Sequence, residues 1–445
     1  MALYSVSHDA DVLAYTETFG DSNYRILDRD GSGNRHNRLA AGQSWIEAYQ
    51  ASPEAIKISD TRNEIAAQTS LSLATVTSTA YFAVDAQFMA LPAFAMLAKL
   101  DTNNNYLDNY LDRLYALFTY NKTTLGLYDL TAHLYYRDVH YIYPAKQTPN
   151  GKKVLWSRGN GWALGALARI LRDLPATEPD RPEYVTTFQE MSAALKAVQR
   201  SDGFWNMSLD DANHYPGPET SGTALFAYGM AWGIKNGLLS KTTYLPVVAK
   251  AWNAMVTTAV HPNGQLGYVQ GVGKEPVPPS QVTYNSSADF GVGVFLLAGS
   301  EVSKIAVEGK KYEAENLTAT VSSGDRQQDM SDPLASGGQY HHGSFNAVND
   351  AIQYSVGVST PGTYNVRVRF AKDADLGTWQ FYTAGLTVGA PQDAYGSAFT
   401  WAEVDLGQVT YSTSGTKVFK FTVTGKNSAS SGYRTGIDYV MLTKR

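Results

Sequence analysis

The spacing of apolar residues changes once along this chain of 445 residues, near Lys304. Before that point, apolar residues recur every three to four positions, the period of a helix with one buried face. Phe88, Leu91 and Ala95, for example, would share one face. We expect helices at residues 5–19, 39–50, 84–99, 105–119, 161–173, 184–199, 221–236, 244–258 and 289–302. Helices in this number, joined by aromatic loops, predict an all-α toroid over residues 1–303.

After Lys304 the apolar residues alternate with polar ones, as in strands that bury one face. The alternation is clearest at residues 364–370, 418–423 and 437–442, and turn sequences separate these segments. The pattern predicts an all-β, jelly-roll-like sandwich over residues 304–445.

The overall composition excludes several classes of protein. The 36 basic and 41 acidic side chains give a net charge of −5 without a basic block, so we expect no nucleic-acid partner. No stretch of 18 apolar residues would cross a membrane. The chain has no cysteine, which excludes disulfides, thiol nucleophiles and thiolate metal sites. No signal peptide is visible at the start, but four Asn-x-Ser/Thr triplets suit a secreted protein, and our expectation is an extracellular location.

A short aromatic segment is the strongest candidate for a binding site. Trp156, Arg158 and Trp162 lie within seven residues, together with two glycines that would let the backbone pass close to a ligand. An apolar helical pattern follows at once, so we interpret the segment as a loop that enters a helix. Indoles stack on sugar rings, and a guanidinium holds a carboxylate through paired hydrogen bonds. The alternative is that both tryptophans are core residues and Arg158 is a surface charge.

The candidate acids are aspartates beside aromatic residues. Asp85 opens a strongly apolar helix, and Asp138 lies among tyrosines. Each could equally be a helix cap or the partner of a structural arginine. His36 and His140 are weaker candidates, and no spacing of histidines and carboxylates indicates a metal. Capping is the default explanation for the glutamate in residues 218–223.

Four motifs resemble glycoside hydrolase family 105, the unsaturated rhamnogalacturonyl hydrolases. They are residues 85–90 (DAQFMA), 134–138 (LYYRD), 156–162 (WSRGNGW) and 218–223 (PETSGT), and the segment 290–301 also matches. The resemblance implies an (α/α)6 barrel over about residues 4–303. It also implies that Asp138 is the principal acid/base and Asp85 the second acidic residue. The implied substrate-binding residues are Trp156, Arg158, Trp162, Tyr136, Phe88 and Met89.

Two departures from the family pattern affect the start of the barrel. Residues 34–39 (NRHNRL) lack the acids of the corresponding family motif. Family members also carry a helix or two ahead of the position of Tyr4, so the barrel could lack its opening helix.

The resemblance implies an exo-acting hydrolase that removes 4,5-unsaturated uronic acid from lyase-generated oligosaccharides of the rhamnogalacturonan or pectin type. In this hypothesis Asp138 protonates C4 of the enol ether, water adds at C5, and Asp138 or Asp85 takes the proton of the water. Burial among Tyr135, Tyr136 and Tyr141 would raise the pKa of Asp138. Catalysis would need no cofactor.

The second domain resembles a carbohydrate-binding module of the family 6/35 type, through residues 312–316, 377–380, 425–428 and 436–439. The resemblance implies a possible structural Ca²⁺ held by Glu313, Glu315 and Asp438, since hard oxygen ligands suit that ion. Such a module could bind polysaccharide, and the candidate sugar platforms are Trp379, Tyr382, Tyr395 and Trp401. At least two of these aromatic residues are expected in the sandwich core.

Two alternative functions remain open at this point. One is an ordinary inverting glycosidase in the same toroid, with Asp85 and Asp138 as its carboxyl pair. The other is a non-catalytic glycan-binding protein.

Overall fold

The computed structural model describes residues 1–7, 9–23, 27, 35–101, 106–305 and 310–444, and only the backbone of residues 35 and 106–108. Two compact units are separated within it, Met1–Ala306 and Val307–Arg445. Three positions named above lie outside the described residues: residues 8 and 105 of the predicted helices, and residue 34 of the segment 34–39, which lacks the acids of the family motif.

The described part of the first unit contains twelve α-helices, which include all nine predicted segments. They are α1 (Tyr4–Ser7), α2 (Ala10–Ser22), α3 (Arg35–Ala51), α4 (Ser59–Ser70), α5 (Leu73–Thr77), α6 (Asp85–Leu100), α7 (Tyr106–Thr119), α8 (Ser157–Asp173), α9 (Arg181–Ala197), α10 (Thr220–Lys235), α11 (Lys241–Ala254) and α12 (Asp289–Ile305). A two-stranded hairpin, β1 (Tyr128–Asp129) and β2 (Leu134–Tyr135), lies between α7 and α8.

An inner and an outer layer of helices form the predicted toroid. Helices α3, α6, α8, α10 and α12 pack side by side in that order, and α1 contacts α12 while α2 contacts α3. Helices α8 and α10 are buried almost all round, as expected for an inner layer. Helices α7, α9 and α11 pack on the outside of α6, α8 and α10. The all-α toroid is therefore confirmed.

Residues 51–80 carry two helices that hydrophobic spacing does not reveal. Helix α4 buries Thr61, Glu64 and Gln68 beside Ile65. Because most of its buried face is polar, the 3.6-residue apolar period is missing.

The second unit is an antiparallel β-sandwich, as predicted. Its strands are β3 (Lys310–Glu313), β4 (Thr318–Val321), β5 (Arg326–Ser331), β6 (Gln339–Ser344), β7 (Ala351–Val358), β8 (Gly362–Lys372), β9 (Thr378–Thr383), β10 (Leu386–Asp393), β11 (Thr400–Tyr411), β12 (Gly415–Gly425) and β13 (Thr435–Lys444). One sheet has the order β10-β9-β12-β7-β4, and the other has the order β11-β8-β13-β6-β5 with β3 also paired to β13.

Alternation along the strands builds the sandwich core. In β7, every second residue from Ile352 to Val358 is buried. Trp379, Phe381 and Phe421 from neighbouring strands are fully buried and pack together.

In the part of the chain that the structure describes, we find no helix with both the length and the apolar character that crossing a bilayer requires.

Candidate active site

Asp85 and Asp138 are brought together by backbone pairing between the start of α6 and the segment after β2. Ala83 and Asp138 form an antiparallel bridge. The amide of Val84 donates to the carbonyl of Arg137 over 2.8 Å. Because Asp85 is the first residue of α6, this pairing places both carboxylates next to Arg137.

Arg137 lies between the two carboxylates. Its Nη1 donates to Asp138 Oδ2 in an ion pair, and its Nε lies 3.7 Å from Asp85 Oδ2. The amide of His140 donates to the second oxygen of Asp138 over 2.9 Å. Asp138 is buried, so its carboxylate is held by a cation and a backbone amide.

Asp138 and the three tyrosines near it in sequence are all buried, but no hydroxyl of these tyrosines contacts its carboxylate. The hydroxyl of Tyr136 donates to Asp129 over 2.6 Å. Among the described residues, no tyrosine hydroxyl donates a hydrogen bond to Asp138, and its partners are Arg137 and His140. The carboxylate therefore has the partners named in the alternative interpretation: a structural arginine and, through the amide of His140, the start of a short helical turn that Asp138 caps.

The carboxyl group of Asp85 is only partly compensated by its neighbours. Its Oδ2 is buried and accepts no hydrogen bond from the described residues. Burial raises the pKa of Asp85, the Arg137 guanidinium opposes that rise, and the Asp138 carboxylate adds to it. A carboxyl whose pKa is raised in this way holds its proton at higher pH than an exposed aspartate does.

The segment 156–162 is a helix start, not the loop that the sequence suggested. Helix α8 begins at Ser157, so Arg158 and Trp162 lie one turn apart on it. A Cβ on Gly159 would come within 3.1 Å of the Trp156 ring, and one on Gly161 within 2.8 Å of Leu225. A larger side chain has no room at Gly161 and little room at Gly159, so close packing explains both glycines without a ligand.

Arg158 is buried and held from three sides. Its guanidinium carbon lies 4.6 Å from the ring centre of Trp156 and 4.8 Å from that of Phe290. Nη1 donates to the carbonyl of Gln270 over 2.6 Å, and Nη2 donates to that of Gly271 over 2.7 Å. The opposite edge of the guanidinium, formed by Nε and the second hydrogen of Nη2, has no hydrogen-bond partner among the described residues. That edge has the shape to bind a carboxylate side-on.

Trp162 pairs with Phe88 of α6, with ring centres 4.8 Å apart. The position of Phe88 depends on Pro92, which has no N–H to donate to the Phe88 carbonyl four residues earlier. Gln43 of α3 donates to that carbonyl instead, over 2.7 Å. The oxygen of the Gln43 amide in turn accepts from Arg169 Nε over 2.7 Å. A buried polar contact between three inner helices therefore positions the aromatic pair.

A cavity of about 880 Å³ opens inside the toroid. Six of the predicted site residues line it: Asp85, Phe88, Met89, Trp156, Arg158 and Trp162. Asp138 and Tyr136 are not among the lining residues. Both indoles are more than nine-tenths buried, so each is a core residue that also forms part of the cavity wall.

The sequence of this unit matches one family model from end to end. The model is Glycosyl Hydrolase Family 88, and it covers residues 1–306. The chain belongs to this family. A solved family 88 glycosyl hydrolase from Bacteroides vulgatus is 37% identical and has a TM-score of 0.63, over 68% of this chain and 88% of its own.

Two curated relatives of this family 88 chain are named Unsaturated 3S-rhamnoglycuronyl hydrolase. The protein from Formosa agariphila is 39% identical over 225 residues, which are 50% of this chain and 57% of that protein. The protein from Alteromonas sp. is 37% identical over 218 residues, which are 49% of this chain and 50% of that protein. The chain thus spans about half the length of the curated relatives it matches.

The resemblance expected from the four motifs is confirmed by these matches. A family 105 glycoside hydrolase from C. acetobutylicum shares the fold of the family 88 unit, with a TM-score of 0.53 at 20% identity over 68% of this chain and 90% of its own. For the sandwich, the CBM35 of Paenibacillus barcinonensis is 27% identical over 31% of this chain and all of its own, but the TM-score of 0.24 supports no conclusion.

Two residues beside Arg158 were not predicted from the sequence to belong to the site of this family 88 unit. Gln270 accepts a hydrogen bond from Trp156 Nε1 over 2.8 Å, in addition to the one from Arg158. It lies in a loop without periodicity, so no sequence signal marks it. Glu219 is the N-cap of α10, which confirms the capping explanation, but it also accepts from the amide of Gln270 over 3.1 Å.

The two histidine candidates have structural roles. Nδ1 of the buried His36 accepts from the amide of Tyr81 over 3.2 Å. Burial and the charge of Arg137 lower the pKa of His36 to about 4. The His140 side chain is exposed, and its backbone amide makes the contact with Asp138.

The acids expected to hold calcium in the sandwich do not form a fitting site. Asp438 pairs with Arg369 over 2.5 Å and accepts from the amide of Ser336 with both oxygens. Glu313 and Glu315 each keep one oxygen without a partner. No group of three or more acidic or histidine side chains within the described ranges could hold a metal ion. Asp438 is therefore already compensated by a cation, and the calcium site stays a prediction.

The candidate sugar platforms of the sandwich divide into core and surface. Trp379 is fully buried, so it is a core residue and not a platform. Trp401 is half-buried against Tyr340 and Phe399, with ring centres 5.1 and 5.5 Å away. Tyr340 and Phe399 also line a pocket of about 190 Å³, whose polar lining includes Asp375 and Arg434. Tyr382 and Tyr395 are half-buried and lie outside that lining.

Proposed function

We propose that the helical unit removes 4,5-unsaturated uronic acid from the non-reducing end of oligosaccharides produced by a polysaccharide lyase. The observation that carries the proposal is the pair of groups on the cavity wall: Asp85, with a raised pKa, and the open edge of Arg158. Asp85 also acts on the ionisation of Arg158 through its charge, so the two groups are close in space. The names of the curated relatives support the same class of substrate.

The reaction is a hydration of the enol ether. A carboxyl group gives its proton to C4, and positive charge develops at C5 and the ring oxygen. Water forms a bond to C5 while a carboxylate takes its proton, so the enzyme ends with the same number of protons. The C5 hemiketal then opens by breaking its bond to the ring oxygen. The resulting hemiacetal at C1 releases the remaining oligosaccharide as an alcohol.

We assign the proton donor as Asp85 and the proton acceptor as Asp138, the reverse of the order that the family resemblance implies. Asp85 faces the cavity, and its raised pKa favours the protonated form needed by an acid. Asp138 lies on the other side of Arg137, outside the cavity lining, and we assign it as the group that takes the proton of the water. Arg158 would bind the sugar carboxylate, and Trp162 would contact the flat ring. The face of Trp156 is already covered by Arg158.

The substrate we propose has rhamnose next to the unsaturated uronate. Glucuronate and galacturonate differ only at C4, and both become the same ring once C4 and C5 are joined by a double bond. Selectivity must therefore come from the neighbouring sugar and its linkage. A panel of lyase products that share the unsaturated ring but carry rhamnose, glucose or galacturonate beside it would test this point.

The primary test is incubation of the full chain with these lyase products while the ultraviolet absorbance of the conjugated enol ether is followed. Loss of absorbance, fastest for the rhamnose-linked product, is the expected result. Sugar release without loss of absorbance would instead identify an ordinary glycosidase. Retention on a glycan gel without any reaction would identify a binding protein.

We also propose that the sandwich binds a sugar unit of the polysaccharide at the pocket formed by Tyr340, Phe399, Asp375 and Arg434. The pocket volume suits about one sugar residue, and its aromatic edge beside charged hydrogen-bonding groups is typical of carbohydrate sites. Affinity gel electrophoresis of the full chain in rhamnogalacturonan should show retarded migration. Unchanged migration in every pectic or related polysaccharide would refute this part of the proposal.

A further inference from the structure

Arg158 has to satisfy two conflicting requirements at its position. A buried guanidinium needs a compensating negative charge and hydrogen-bond acceptors. A carboxylate paired directly with it would, however, occupy the edge that a sugar acid must bind. The neighbourhood of Arg158 shows how both requirements are met.

The larger of the two negative charges that act on Arg158 is Glu219, and it reaches the guanidinium through other groups. Its Oε1 accepts from the amide of Gln270 over 3.1 Å, and the carbonyl of the same residue accepts from Arg158 Nη1 over 2.6 Å. Oε1 also accepts from the hydroxyl of Ser221 over 2.6 Å, whose oxygen lies 3.3 Å from Arg158 Nη1 as an acceptor. Glu219 is fully buried, so its charge acts in a poorly screened environment.

We propose that Glu219 is a positioning residue for uronate binding, which neutralises Arg158 through the backbone of Gln270 and the hydroxyl of Ser221 while leaving the Nε edge of the guanidinium open. This inference rests on the proposed function, because it concerns how the same site binds the sugar carboxylate. It gives the PETSGT motif a role beyond capping α10. Chains of hydrogen bonds polarise each other, so the carboxylate strengthens the contacts that orient Arg158.

The effect of Glu219 should be specific to ligands that carry a carboxylate. We would measure dissociation constants for an unsaturated disaccharide and for its methyl ester, using the full chain with Asp85→Asn so that neither ligand is consumed. Glu219→Gln removes the charge, and we expect the acid to bind about tenfold more weakly while the ester binds as before. A purely structural cap would weaken the binding of both ligands equally.

Ser221→Ala provides a second variant in case Glu219→Gln does not fold. Alanine is a good helix residue, and Arg158 Nη1 keeps the carbonyl of Gln270. We expect about a threefold loss of affinity for the acid alone, because one neutral hydrogen bond is lost. The matched control is Glu183→Gln on α9, a partner of Lys122 on the outer layer, which should change neither dissociation constant.

The outcomes separate the inference from the proposed function. Equal changes for acid and ester, or no change for either, would overturn the role of Glu219 whatever the enzyme turns over. If Glu219→Gln weakens the binding of the acid alone, but the unmodified chain does not consume the enol ether, the proposed reaction would be overturned and the role of Glu219 would stand. Failure of the Asp85→Asn protein to bind the acid at all would overturn both.

Discussion

Each unit of the molecule buries an arginine–carboxylate pair, and the two pairs are built differently. In the sandwich, Arg369 and the amide of Ser336 take the oxygens of Asp438, which is fully buried. In the toroid, Arg137 pairs with Asp138 and also lies 3.7 Å from a second carboxylate, Asp85, one of whose oxygens accepts nothing from the described residues. The carboxylate of Asp438 has a partner for each oxygen, whereas one oxygen of Asp85 has none among the described residues.

An unsatisfied buried acceptor destabilises a fold by about 1–3 kcal/mol, so its position is informative. In the toroid, the unsatisfied group belongs to a residue on the wall of a large cavity. Under the proposed function, the pair of Asp438 with Arg369 serves stability, and the incompletely paired carboxylate of Asp85 beside the cavity serves chemistry. The predictions that follow test this distinction, from the largest expected effect to the smallest.

Replacing the two carboxylates separately should give opposite results. Asp438→Asn breaks a buried pair and should lower the free energy of unfolding of the sandwich by about 3 kcal/mol, with turnover unchanged. Asp85→Asn removes the proton donor and should lower kcat by at least ~10²-fold, with little loss of stability. Urea unfolding and the absorbance assay measure both quantities. Near-normal turnover by Asp85→Asn would contradict our assignment of the donor.

The buried histidine near Arg137 should make the toroid sensitive to acid. The folded-state pKa of His36 is lowered from 6.5 to about 4, so the unfolded chain binds a proton that the folded chain refuses as the pH falls through this range. Stability from this group is therefore complete above about pH 6.5 and declines by about 3 kcal/mol down to pH 4.

His36→Asn tests that prediction, because an asparagine side-chain oxygen can accept from the amide of Tyr81 without titrating. The unfolding free energy of this variant, measured from pH 7 to pH 4.5, should fall less steeply than that of the wild type. Parallel pH dependences in the two proteins would show that His36 does not titrate as described.

Removing the shared cation should move the alkaline limit of activity. The charge of Arg137 holds the pKa of Asp85 below the value that burial alone would produce. In Arg137→Gln that pKa should rise, so the protonated donor persists and the alkaline limb of kcat/KM should move to higher pH. Arg137→Lys keeps the charge and is the control. If the alkaline limb of kcat/KM lies at the same pH in both variants as in the wild type, a group other than Asp85 determines that limb.

The smallest expected effect concerns the sandwich pocket. Phe399 is partly exposed at its rim, and Phe399→Ala should weaken polysaccharide binding about fivefold, the loss of one aromatic contact. Leu386→Ala, an exposed apolar residue outside the pocket lining, is the control and should bind normally. Affinity electrophoresis of both variants decides the matter. Equal binding by the two variants would place the glycan site elsewhere.

Local sequence patterns predicted most of the fold. The apolar period of 3.6 located nine helices, and alternation located the three strands expected at residues 364–370, 418–423 and 437–442. The sequence predictions failed in two kinds of place: where the buried side chains of a helix are polar, and where a glycine is needed for close packing. Helix α4 was not predicted because most of its buried residues are polar. Gly159 and Gly161 lie in close contact with Trp156 and Leu225.

The sequence by itself determined the division into a toroid and a sandwich, and it identified six residues that line the cavity. Both kinds of information are local, since periodicity and short motifs act between neighbours along the chain. Only the tertiary structure decided which carboxylate Arg137 pairs with, that Arg369 pairs with Asp438, and that Gln270 connects Glu219 to Arg158. Those contacts form between segments that are distant in sequence, and they depend on which donor and acceptor groups the packing brings together. The spacing of residues along the chain does not specify this.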